Sequence, residues 1–73
     1  MPKITVPKTE FARDLRAARA EAGYTQQQMA DTMLIPKRTI EEWEIGSRTP
    51  PPYLQRFVLN ELHELAARQK ENT

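Results

Sequence analysis

A chain of 73 residues with a net charge of +1 has room for one domain and one modest core. It contains no cysteine and a single histidine, His63, which excludes disulfides, thiolate metal centres and a histidine-based metal cluster, and no cofactor is expected. No apolar stretch approaches a membrane span and no signal-peptide core follows Met1, so a soluble, cytoplasmic protein is expected, held together by helix packing and by a partner subunit.

The first eight residues, an arm outside the domain, hold two prolines and the alternation Lys3-Ile4-Thr5-Val6. They read either as a loosely ordered tail or as a short strand exchanged with a twin subunit. Thr9 is a good N-cap for a first helix to about Ala22, with Phe11, Leu15, Ala18, Arg19 and Ala22 on one face. Gly23 ends it, because glycine takes the positive φ that a helix C-terminus favours.

Thr25-Gln26-Gln27-Gln28 is a capping box, and the helix it opens, about Gln26 to Met33, buries Met29, Ala30 and Met33. Leu34 and Ile35 make a tight connection. Pro36 opens a third helix to about Ile45, in which Ile40, Trp43 and Glu44 face inward and Arg38, Glu41, Glu42 and Ile45 face out. Gly46 stops it. A loop containing three consecutive prolines leads to a last helix, about Pro52 to Gln69, with Leu54, Phe57, Val58, Leu62 and Leu65 on a broad apolar stripe; residues 70–73 form a fraying tail. The fold class expected is all-α, a compact domain of four to five helices spanning residues 9–69.

Two short helices joined by three or four residues, the second starting with basic and hydroxyl side chains, is the geometry that enters a DNA major groove. The groove is about 12 Å wide and admits one helix, whose first turn must reach base edges. Lys37, Arg38 and Thr39 stand at that first turn, and Glu42 lies one turn behind Arg38 on the same face. Arginine pairs bidentately with guanine, glutamate accepts from the cytosine amino group, and threonine serves phosphate or a thymine methyl. Gln26, and Gln27 beside it, are placed to bond phosphate or to brace the reading helix. Trp43, Met29 and Met33 read as core, and Arg13, Arg16, Arg56, Arg68 and Lys70 as solvated faces. No carboxylate pair, Ser/His/Asp set or glycine-rich phosphate loop is present, so no enzyme is expected.

The run Leu15-Arg16-x-x-Arg19-x-x-x-Gly23-Tyr24-Thr25-Gln26, then Met29-Ala30, then Thr39-Ile40-x-x-Trp43-Glu44-x-Gly46-x-Arg48-x-Pro50 closely resembles the lambda-repressor-like, XRE-type helix-turn-helix domain over roughly residues 11–65. The resemblance implies that Gln26, Lys37, Arg38, Thr39 and Glu42 contact DNA and that Arg48 touches phosphate from the loop. It also implies a buried ion pair between Arg19 and Glu44, which agrees with their inward faces, since an unpaired buried charge is costly. One departure is Leu34, where the family usually has glycine; a positive φ there would cost a non-glycine residue about 1 kcal/mol.

A narrower similarity links Arg48-Thr49-Pro50-Pro51-Pro52-Tyr53-Leu54-Gln55-Arg56-Phe57-Val58-Leu59 to small phage regulators, among them anti-CRISPR-associated autorepressors. One reading helix covers too few base pairs for useful specificity, so a homodimer on an inverted-repeat operator is expected, with half-sites ~34–36 Å apart. Leu59, Leu62, His63 and Ala66, a second face of the last helix, are the expected dimer contact. The competing expectations are an antitoxin that also binds a toxin protein and a DNA-free adaptor.

Overall fold

A computed structural model describes residues 9–71 and contains, among them, four helices and no strand: α1 (Glu10–Ala22), α2 (Gln26–Met33), α3 (Lys37–Ile45) and α4 (Pro52–Glu71). The fold is all-α, as expected. The arm, residues 1–8, and the last two residues lie outside the described part, and α4 runs past the expected Gln69 to Glu71.

Each boundary has a local cause. The Thr9 hydroxyl accepts the Ala12 N–H at 3.0 Å and starts α1. At its far end Gly23 adopts φ 78°, its N–H reaching Ala20 O while the Tyr24 N–H reaches Arg19 O, a Schellman arrangement. The capping box of α2 is complete: the Gln28 N–H donates to the Thr25 hydroxyl at 3.1 Å and the Thr25 N–H to the Gln28 side chain at 2.9 Å. Leu34 ends α2 in the left-handed region, φ 57° and ψ 42°, and is the one non-glycine residue with positive φ among those described. Gly46, φ 93°, ends α3.

The helices pack α1 on α4, α1 on α3 and α2 on α3, so α1 and α3 each join two neighbours. Phe11, Leu15, Ala18 and Ala22 of α1 meet Ile40 and Trp43 of α3 and Val58, Leu62 and Ala66 of α4, with Met29 and Ala30 of α2 completing the core. Phe11 and Trp43 meet edge to face, ring centroids 6.1 Å apart.

The packing of α4 corrects two expectations. Val58, Leu62 and Ala66, spaced four residues apart, form the row laid against the core, so Leu62 and Ala66, expected as dimer contacts, are buried within the single chain. Leu59 is half-buried against the same core and His63 is exposed. Phe57, expected on the core stripe, is 58% exposed, because it sits about 100° around the helix from Val58.

Candidate nucleic-acid interface

The α2–turn–α3 unit is fixed from behind by a polar cluster. The Arg19 guanidinium donates through Nε to Glu44 Oε2 at 2.6 Å and through Nη2 to Oε1 at 3.0 Å. Its Nη1 donates to the Tyr24 carbonyl at 2.9 Å, and Gln26 Nε2 donates to Glu44 Oε1 at 3.2 Å. One buried carboxylate thus gathers α1, α2 and α3. Because both partners offer geometry-matched donors, the charge of Glu44 is compensated although the residue is buried.

On the opposite side, the first turn of α3 is open. Lys37 is exposed, the Arg38 side chain is 90% exposed, and Thr39 is half-buried. Pro36 precedes the helix with no side-chain cap, so the helix start offers backbone donors and the positive end of its dipole in the same direction as these side chains.

Glu42, itself half-buried, sits between two exposed arginines. Its Oε1 takes Arg38 Nε at 3.4 Å and its Oε2 takes Arg48 Nε at 2.7 Å. Its backbone carbonyl receives the N–H groups of Gly46, Ser47 and Arg48 at 3.0–3.4 Å, which folds the loop back under the end of α3. Both contacts are ion pairs rather than hydrogen bonds, and the terminal guanidinium N–H groups remain for an external acceptor.

The structure therefore brings Arg38, Glu42 and Arg48 together, with Lys37 and Thr39 on the same helix start. Gln26 is turned inward to Glu44, a bracing position. Gln27 is exposed and donates to Asp31 Oδ1 at 2.9 Å, a helix i,i+4 contact. The Glu42–Arg48 link escaped the sequence reading, since no helical spacing relates a residue before Gly46 to one after it.

Two short helices joined by a three-residue turn, the second presenting cations at an uncapped start, define a helix-turn-helix DNA-binding domain. A family model described as Helix-turn-helix matches residues 15–54, more than half of the chain, and the chain belongs to that family, of the XRE or lambda-repressor-like type. No curated protein and no solved structure gives a match. Family membership makes this a DNA-binding transcription regulator with double-stranded DNA as partner, in a family of regulators rather than enzymes. No helix among the described residues is long and apolar enough to cross a membrane.

Proposed function

We propose that this chain is a homodimeric repressor of its own operon that reads an inverted-repeat operator with the first turn of α3. The observation that carries the reading is the Arg38–Glu42–Arg48 cluster, its two arginines exposed, beside Lys37 and Thr39 and backed by the hydrogen-bonded Arg19–Glu44–Gln26 assembly. In this reading Arg38 pairs with a guanine edge, Glu42 faces the neighbouring pair, and Lys37, Thr39, Gln27 and Arg48 meet phosphate. Gln26 serves indirectly, by holding the start of α2 to Glu44.

The stretch Arg48 to Leu59 supports placing the protein among small phage regulators, with an anti-CRISPR operon as the controlled unit and the cytoplasm of a bacterium or phage-infected cell as its location. The antitoxin reading shares the DNA surface and requires a toxin protein besides. Selecting bound duplexes from a random pool tests the proposal: an inverted repeat with guanine-bearing half-sites one turn apart is expected, and it should match DNA upstream of the gene. A single unrepeated half-site, or a preference unchanged by Arg38→Ala, overturns it.

A further inference from the structure

We propose that the two-fold partner docks on the outer face of α4, where Tyr53 of each copy enters a cavity beside Phe57 of the other. The inference rests on the homodimer reading and relocates its interface. Tyr53 is 74% and Phe57 58% exposed, and they lie one turn apart on the same face. Tyr53 is nine residues from the core residue Leu62, about two and a half turns, so it points away from α1. Two large aromatics left in water side by side in so small a domain mark a contact surface.

The same face holds a matching recess. A shallow cavity of about 270 Å³ is lined by Thr32, Met33, Phe57, Glu61 and Leu65. Its walls are apolar apart from the Thr32 hydroxyl and the Glu61 carboxylate, a lining suited to a phenol ring with its hydroxyl donating to Glu61. Glu61 follows Tyr53 by eight residues, about 12 Å along the helix, so a subunit cannot fill its own recess with its own Tyr53.

Antiparallel pairing of α4 with its copy about a two-fold axis near Phe57 puts Tyr53 opposite the partner's Glu61, and the reverse, while the phenylalanines meet at the axis. Knob and hole are then filled twice by one symmetry operation, which is the requirement of an isologous contact. With 74% of Tyr53 and 58% of Phe57 left to cover, the four aromatics would bury about 400–650 Å² in total. That falls below the usual range for a stable complex, so the free dimer should be weak and concentration-dependent, and DNA carrying two half-sites should reinforce it.

The test is sedimentation of the full chain from low micromolar to several hundred micromolar, without DNA. A reversible monomer–dimer equilibrium is expected, weakened several-fold by Tyr53→Phe and at least tenfold by Phe57→Ala, with thermal unfolding of both variants close to the parent because the side chains are exposed. The absence of native cysteine allows a second readout. Asn60→Cys, exposed on this face, should be joined to its copy by a short bismaleimide, and His63→Cys, on the other flank, should not. Unchanged dimerisation in both aromatic variants, or cross-linking through position 63 instead, overturns this face while an inverted-repeat operator keeps the dimer reading. A chain monomeric at every concentration, with or without DNA from the random-pool selection, overturns both and leaves the face to a different protein.

Discussion

Glu42 holds Arg48 at 2.7 Å with one carboxylate oxygen and Arg38 at 3.4 Å with the other. Neither pair contributes much to folding, because each arginine is exposed and solvent screening limits such pairs to about 0–1 kcal/mol. In the proposed reading their value is orientation: a guanidinium already held beside Glu42 would lose less freedom when its terminal groups meet DNA. Glu42→Ala should therefore weaken binding to the selected site by about 1–3 kcal/mol while leaving thermal stability nearly unchanged. A double-mutant cycle with Arg48→Ala should give a coupling of about 0.5 kcal/mol or more on DNA binding. Strict additivity would mean that the two side chains act separately.

Leu34 sits at φ 57° and is 89% exposed, so it bears left-handed strain without burying its side chain. Leu34→Gly removes that strain but enlarges the freedom of the unfolded chain, and the two effects oppose. The strain, about 1–2 kcal/mol, is the larger, so a net gain of about 0.5–1 kcal/mol is expected. Urea titration should show a raised midpoint at constant slope. A lowered midpoint would mean that the leucine side chain makes a stabilising contact.

Arg19→Ala is expected to cost about 3 kcal/mol, the low end for breaking a buried pair, since Arg19 keeps a fifth of its side chain in solvent. It leaves Glu44 buried with only Gln26 as a side-chain donor. Replacing both residues, as in Arg19→Met with Glu44→Leu, should recover most of the stability by urea titration. DNA affinity should recover less, because the tie from α1 to α2 and α3 is gone. Full recovery of both would show the pair to be dispensable for geometry.

The sequence made the helices legible because their ends are local events. Thr9, the Thr25–Gln28 box, Gly23 and Gly46 each act within a turn, so type and spacing suffice to place them. The facing of α4 was another matter. Apolar residues from Leu54 to Ala66 cover most of its circumference, and only the approach of α1 decides that Val58, Leu62 and Ala66 turn inward while Phe57 stays out. Glu42 reaching Arg48 was hidden for a similar reason, since the contact depends on a left-handed reversal at Gly46 rather than on a helical period.

Trp43 is the sole tryptophan and packs edge to face on Phe11, which assigns it to the core and away from bases. Trp43→Ala should cost about 3–5 kcal/mol and leave little folded protein in a domain this small. In the parent protein, intrinsic fluorescence should be blue-shifted and should change little on saturation with duplex DNA. Strong quenching would place the indole against a base and require a different docking of α3.

Lys37 and Arg38 are neighbours at the start of α3, yet their proposed tasks differ, and salt separates them. A lysine that neutralises a phosphate releases counterions, so its loss should weaken binding to all sequences alike and flatten the dependence of log K on log salt by about 1 per contact, about 2 for a dimer carrying the change twice. Loss of a guanine-reading arginine should instead relax preference at one base pair per half-site, by about 1–3 kcal/mol, with a smaller effect on non-specific affinity. Titrations of Lys37→Ala and Arg38→Ala against the selected site and a scrambled duplex, at several salt concentrations, should show this split. If Lys37→Ala alters preference and Arg38→Ala alters only the slope, the two roles are exchanged, and α3 lies in the groove rotated by roughly the 100° that separates adjacent helical residues.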